Sequence, residues 1–412
     1  MTPASPEIAA SHEVVIVGGG LVGASLAIAL DRIGVDTALV EATPAGALPP
    51  VFDQRNLSFA EASVNALTAL GVMQKLRAPT GPIRRIHVSR MRELGRVILD
   101  AAAYGRETFG QVVVARDFGE ALEARLLECW RLSRYRPARF AGFVAASGSR
   151  GRVMRIEDDA GSRLIAARLV VAADGTRSGV RADLGIAARE SSYDQILFVA
   201  RVRTGRPPDG IAYERFGNDG PTALLPRGDR HFGVVHAVAA HEADAVAMLD
   251  ESGFLQRLQM VFGWRAGRFL ACGPRNAYPA IRLVAERTIA PGAVLVGNAA
   301  QTLHPIGAQG FNLGLRDALT LAELVDGEGI DAIDDGLLQR YAQRRSEDRA
   351  RTLAFSDGLA RLTANDAPFA SAVRALGLFA ADRMPALQAS LVGGAMGFRG
   401  DVPALCRSGD VR

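Results

Sequence analysis

EVVIVGGGLVGASLAIALDRIGVDTALVE, residues 13–41, is the stretch on which the fold turns. Val14 to Leu30 carries no charge, and a hydropathy scan would flag it as a membrane span. Its interior divides otherwise. EVVIV (13–17) is β-rich, GGGLVG (18–23) is a turn, ASLAIALDRIG (24–34) has helical apolar spacing, and VDTALVE (35–41) is a second strand. The spacing predicts a βαβ unit with Gly18-x-Gly20-x-x-Gly23 at its first crossover and Glu41 ending the second strand. Gly18 permits the tight turn, Gly20 lets backbone amides approach a pyrophosphate, and Gly23 lets helix and sheet pack closely. Glu41 can accept hydrogen bonds from ribose hydroxyls, and the helix N-terminus faces the phosphates. A dinucleotide site follows. The motif alone does not choose between a nicotinamide and a flavin.

At 412 residues the chain is long enough for two or three packed units. Apolar residues at 49% and charged residues at 22% exclude wholesale disorder. Lys75 is the only lysine among 48 lysine and arginine residues, which removes P-loop and lysine Schiff-base chemistry. Arginine clusters such as Arg84, Arg85, Arg90, Arg92 and Arg96 are interrupted by Glu93 and lack interleaved aromatics. No nucleic-acid partner is therefore expected. Cys129, Cys272 and Cys406 are too far apart for a CxxC site and suit a reducing compartment. Cys129, in the helical run LEARLLECW, reads as core. The histidines show no metal-ligand spacing, so no metal is expected. The first twelve residues lack a basic start and an apolar run, and a cytoplasmic location is expected.

Two later motifs extend the reading. RLVVAADGTRSGVR (168–181) runs an apolar strand into Asp174-Gly175. AVLVGNAAQTLHPIGAQGFNLGLRDALTLAEL (293–324) reads as a strand to Gly297, a loop around His304-Pro305 and a helix from about Gly310. To these are added Asp53-Gln54-Arg55, FGQVVVARD (109–117), YERFGNDGPTALLP (213–226) and LQRYAQRRSEDR (338–349). Together they make the chain similar, over nearly its whole length, to the flavoprotein aromatic hydroxylases of the p-hydroxybenzoate hydroxylase type. Among these it most resembles the ubiquinone-biosynthesis hydroxylases, above all the bacterial branch acting on 2-polyprenyl-6-methoxyphenol. Most relatives carry Gly-Asp-Ala-Ala-His where this chain has Asn298 and Gln301, a departure typical of that branch.

The resemblance implies FAD as cofactor and NAD(P)H as electron donor. It implies an α/β fold: a Rossmann-like FAD-binding domain with an inserted mixed-sheet substrate domain and C-terminal helices. Residues 11–75, 106–185 and 286–330 would bind FAD, 76–105 and 186–285 would form the substrate domain, and 331–412 would be helical. Matching positions imply that Arg55 reaches the cofactor, Gln111 the ribityl chain, and that Asp174 supports the FAD and nicotinamide region. Small residues in GAQGFN (307–312) let the backbone approach a flat ring, and the helix they open points a positive dipole end at the flavin. Gly297, Gly310, Phe311 and Asn312 are therefore candidates for cofactor contact, and Asn298 offers an amide oxygen to a ribityl hydroxyl. His304 and Pro305 are candidates on the substrate side. For His304, fixing the loop by hydrogen bonding is the equal alternative.

The implied reaction hydroxylates a polyprenyl phenol: NAD(P)H reduces FAD, oxygen forms a C4a-hydroperoxide, and the phenol ring takes the distal oxygen. No base for the phenol proton is assignable from the sequence. The same chemistry at another ring position, a flavin reductase, and a flavin-binding subunit assembled with other ubiquinone-biosynthesis proteins remain open. Phe369 to Phe398 is rich in Ala, Leu, Val and Met, punctuated by Arg374, Asp382 and Arg383. It is expected to form amphipathic helices that cover the FAD domain, or that also meet partner proteins or the inner face of the membrane.

Overall fold

The computed structural model describes residues 8–93, 95–145, 151–364, 377, 380 and 382–407. The expected βαβ unit is β1 (Ile8–Val17), α1 (Leu21–Arg32) and β2 (Thr37–Val40). β1 is central, parallel to β2 on one side and to β11 (Gly161–Ala172) on the other. Beyond β2 lies β8 (Leu132–Tyr135), and beyond β11 lie β19 (Ala293–Leu295) and the edge strand β18 (Ile289–Ala290). The antiparallel pair β9 (Arg139–Val144) and β10 (Arg152–Asp158) also joins β11. Val14 and Ile16 face one core while Val15 and Val17 face the other, none more than 5% exposed. A parallel sheet buried on both faces is what an unbroken apolar run encodes. Helices α2 (Glu61–Ala69), α3 (Ala115–Leu126), α7 (Gln309–Glu328) and α8 (Asp335–Ala364) share the first of these cores with α1.

The inserted sheet is mixed. Its order is β20 (Gln301–Thr302), β17 (Asn276–Ala285), β12 (Ala188–Thr204), β15 (Phe232–Ala239), β14 (Pro221–Pro226), β13 (Ile211–Phe216), β5 (Arg85–Arg90) and β6 (Arg96–Asp100). β16 (Phe269–Cys272) also pairs with β12. All pairings are antiparallel except β13 with β5. Phe254, Leu258 and Phe262 of α6 (Glu251–Phe262), which follows α5 (Ala243–Ala247), pack on Phe198, Val202 and Val234. A three-stranded sheet of β3 (Asn56–Ala60), β7 (Gly110–Val114) and β4 (Gly81–Pro82) completes the Rossmann-like architecture.

Two expectations change. Cys129 lies just beyond α3, half-buried, because the helix ends at Leu126. The apolar strand expected to reach Gly297 ends at Leu295, and a single 3-10 turn, Gly297–Ala299, follows. Phe369 to Phe398 lies partly outside the described residues; its described helix is Pro385–Ala395, and beyond it Phe398 packs against the core of the FAD domain and the Met396 carbonyl accepts the Ala62 N–H. Val392 and the adjacent Met396 pack with Ile83, Val97 and Leu99 at the β5–β6 end of the inserted sheet.

Candidate FAD site and adjoining cavity

Gly18 opens the phosphate turn at φ 104°, a backbone that glycine adopts freely. A Cβ there would lie 2.5 Å from the Ala173 carbonyl oxygen, and one on Gly23 would lie 1.9 Å from that of Gly18. Close packing therefore requires both glycines. Gly20 differs, since a Cβ would meet nothing nearer than Val51 Cγ1 at 3.7 Å. The space over Gly20 is open at the amino end of α1, whose first turn has no acidic residue and no side-chain cap. An uncapped helix start over open space suits a pyrophosphate.

Glu41 Oε2 accepts the Gly19 N–H at 2.7 Å, and Oε1 accepts that of Thr43 at 2.7 Å. The carboxylate thus holds the turn and keeps lone pairs for ribose hydroxyls. Asp174 Oδ2 accepts from the Val180 N–H at 3.1 Å, at the start of α4 (Gly179–Asp183). Its Oδ1 is buried with no partner among the described residues, and burial pushes the carboxyl pKa up. An orphaned acceptor beside the glycine turn suits a dinucleotide hydroxyl. Gly297, at φ 57°, packs against α1, where a Cβ would lie 2.9 Å from Val22 Cγ2; Asn298 is exposed beside it.

Arg55, Gln111 and the start of α7 form a second group around β3 and β7. Arg55 donates to both Asp53 carboxylate oxygens, at 2.8 and 2.7 Å, and its guanidinium stands 4.3 Å from the Tyr278 ring centroid. Tyr278 also donates to Asp53, tying this loop to β17. Gln111 Oε1 accepts from Thr80 Oγ1. Phe311 packs its ring against Phe59 and Phe118, 5.1 and 5.4 Å between centroids. The Asn312 side chain is held from four directions. Its amide oxygen accepts from Ala60 N–H (2.9 Å) and Ser63 Oγ (2.7 Å), and its nitrogen donates to the Ser58 and Ala308 carbonyls (2.9 and 2.8 Å). All four capacities of the amide are used, so the side chain clamps β3 to α7. Gly310 is the opposite case, with nothing within 4 Å of a Cβ. Gly307 and Ala308, at φ 67° and 51°, turn the backbone so that α7 begins without a side-chain cap. Free amides over open space suit a flat ring.

His304 is fully buried, and its geometry is that of a loop fastener. The Ile306 N–H donates to Nδ1 at 3.2 Å, which leaves Nε2 protonated toward Gln195 Oε1 at 3.0 Å. Burial pushes its pKa down to about 4. His304 and the exposed Pro305 do not themselves line the adjoining cavity, whereas Ile306 and Gly307, next in sequence, do.

That cavity, about 310 Å³, lies between the loop opening α7, the β13–β5–β6 end of the inserted sheet, α8 and the C-terminal helix. Gly307 and Gln309 wall it on the loop side; Ile86, Val88, Val97 and Leu99 wall it on the sheet side. Glu214 lines the same sheet wall, a residue not singled out from the sequence. Its signal was the period-2 alternation in IAYERF, which puts Ala212, Glu214 and Phe216 on one face. Gln301 was also unexplained. Its nitrogen donates to Asp317 Oδ2 (2.7 Å) and its oxygen accepts from Arg349 (2.8 Å). Arg345 bridges Asp317 (2.8 Å) and Asp348 (2.6 Å), and Arg316 pairs with Asp348 (2.7 Å). The segment LQRYAQRRSEDR therefore supplies a buried ion network that locks α8 to α7, with Gln301 as its neutral hub.

A doubly covered parallel sheet, a glycine turn, an orphaned Asp174 oxygen and an open loop before α7 define an FAD-binding monooxygenase of the p-hydroxybenzoate hydroxylase type. The chain belongs to the FAD binding domain family, whose pattern matches residues 11–356. Ubiquinone hydroxylase UbiL of Rhodospirillum rubrum is 33% identical over 397 residues, covering 93% of this chain and 89% of that protein. 3-demethoxyubiquinol 3-hydroxylase of Escherichia coli is 30% identical over 403 residues, covering 93% of this chain and 98% of that protein. Among solved structures, p-nitrophenol 4-monooxygenase PnpA from Pseudomonas putida shares the fold at TM-score 0.76 and 17% identity, covering 95% of this chain and 99% of that one.

Proposed function

We propose that this enzyme hydroxylates the ring of a polyprenylated phenol, of the 2-polyprenyl-6-methoxyphenol kind, in ubiquinone biosynthesis, using molecular oxygen and NAD(P)H. The observation that carries this reading is the apolar cavity of about 310 Å³ that shares a wall with the loop opening α7. Two relatives whose names are those of ubiquinone-pathway hydroxylases support the substrate class. Bound FAD supplies electron transfer from the nicotinamide and activation of oxygen.

The chain's own contribution is placement. Gly18, Gly20, Gly23, Glu41 and Asp174 hold the dinucleotide, with Arg55, Gln111, Gly297 and Asn298 around it. The backbone at Gly310 and Phe311 offers partial positive charge where a reduced flavin gathers negative charge. The aliphatic wall of β5 and β6 keeps bulk water from the reacting ring. The working division is an FAD unit of 11–75, 106–185 and 286–330, a substrate unit of 76–105 and 186–285, and a helical region of 331–412. A peripheral position at the inner face of the membrane follows from the lipid-borne substrate; among the described residues no helix is long and apolar enough to cross a bilayer.

The test is oxygen uptake by the purified holoenzyme with NADH or NADPH and a prenylated methoxyphenol, with mass spectrometry of the product. Gain of one oxygen atom by the phenol is expected. Nicotinamide oxidation without that gain identifies a reductase and overturns the reading.

A further inference from the structure

Glu214 is a lone carboxylate in an apolar wall. It sits on β13 opposite Val88 of β5, and Val88 is in turn opposite Val97 of β6. Its face-mates along the strand are Ala212 and Phe216. An aliphatic residue would complete this surface, yet the position carries an acid on which burial is the sole influence, with no hydrogen bond or charged partner among the described residues. The charged groups facing the cavity from other elements are Arg316 on α7, Asp348 and Arg351 on α8, and Arg399 after the C-terminal helix. Arg316 is committed to Asp348, Arg351 to Glu347, and Arg399 to Ser390. Arg316 keeps one buried nitrogen, Nη1, without a partner, and Glu214 is the carboxylate of the cavity left without one among the described residues. Burying an unpaired carboxylate costs stability unless a donor arrives, and the same cavity opens on Gly307 and Gln309 of the loop before α7.

We propose that Glu214 receives the hydroxyl of the phenol substrate and takes its proton, a role that rests on the hydroxylase reading given above. The phenol O–H bond breaks, a carboxyl O–H bond forms on Glu214, and the negative charge passes to the phenolate. Net charge in the cavity is unchanged, and the ring becomes more electron-rich at its ortho and para carbons. Burial pushes the Glu214 carboxyl up to about 7, where a general base operates well at neutral pH.

The experiment uses FAD-loaded wild type, Glu214→Gln and Glu214→Asp with two probes: an alkylated methoxyphenol and a polyfluorinated phenol already ionised at pH 7. Flavin absorbance reports retention of the cofactor. The difference absorbance of bound phenolate is followed against pH, and hydroxylation of each probe is measured. In wild type, bound methoxyphenol is expected to ionise with an apparent pKa near 7. In Glu214→Gln that transition moves up by roughly two units or more, and hydroxylation of methoxyphenol at pH 7 falls about 100-fold. The ionised probe reacts within a few-fold of wild type, and Glu214→Asp keeps the pH transition with an intermediate rate. An unchanged pH profile in Glu214→Gln, or equal loss with both probes while FAD is retained, overturns the assignment. If wild type ionises bound phenol but oxygenates neither probe, the hydroxylase reading falls and the Glu214 assignment stands.

Discussion

Two glycines of one motif answer to different masters. At Gly23 a side chain would strike the Gly18 carbonyl; at Gly20 it would enter open space. Gly23→Val is therefore expected to yield little folded protein. Gly20→Val should fold with a Tm close to that of wild-type apoprotein and hold no FAD, as checked by thermal melts beside flavin absorbance. A Gly20→Val protein that stays yellow would move the pyrophosphate elsewhere. His304 offers a test by pH. Its folded pKa of about 4 lies below the ordinary 6.5, so the unfolded chain binds the proton first as pH falls. The stabilisation from the neutral ring is present above 6.5 and lost between 6.5 and 4, in all about 3 kcal/mol. His304→Gln keeps an amide donor for Gln195 and removes the titration. Urea unfolding across this window should show a shallower pH dependence in His304→Gln than in wild type.

At the scale of elements, α7 concentrates the site. Gly310 opens it with space around its Cα, while Asn312, two residues on, is locked by four hydrogen bonds. Gly310→Val is expected to leave apoprotein stability within about 1 kcal/mol while altering the flavin spectrum and slowing reduction by NAD(P)H, as read by stopped-flow absorbance. The sequence makes this helix and the first βαβ unit legible because both are written in short-range periodicity. The clamping role of the Asn312 side chain was not legible in the sequence for a physical reason. Its type and spacing suit a cofactor contact, and only the tertiary approach of Ser58, Ala60 and Ser63 uses up its amide. Gln301 likewise gains meaning from Asp317 and Arg349, and Glu214 from strands more than a hundred residues upstream. Alternation marks such a residue's face but not what stands opposite.

At the scale of the whole molecule, the C-terminal helix is anchored on the inserted sheet, since Val392 and the adjacent Met396 pack at its β5–β6 end. A chain ending before Phe369 is expected to retain FAD but to show raised KM for short- and long-tailed phenols alike, measured by steady-state turnover. Full-length protein should co-sediment in part with anionic vesicles. Loss of FAD on truncation would show instead that the helix supports the dinucleotide fold.

The order of strands in the parallel sheet also sets a schedule for synthesis. β11 pairs through Val170 to Ala172 with β19, whose residues 293–295, like those of its neighbour β18, are made long after the other strands of the sheet. At ribosomal speeds of about 5–20 residues per second, that edge stays unpaired for roughly ten seconds. During this interval the nascent chain presents an apolar, hydrogen-bond-hungry strand end, the kind of surface that chaperones cover and aggregates extend. Gly297, two residues beyond β19, reaches its place against α1 only with the same event. Flavin supplied early should not rescue a stalled chain ending before β19, whereas chains released beyond it can bind FAD as the sheet closes.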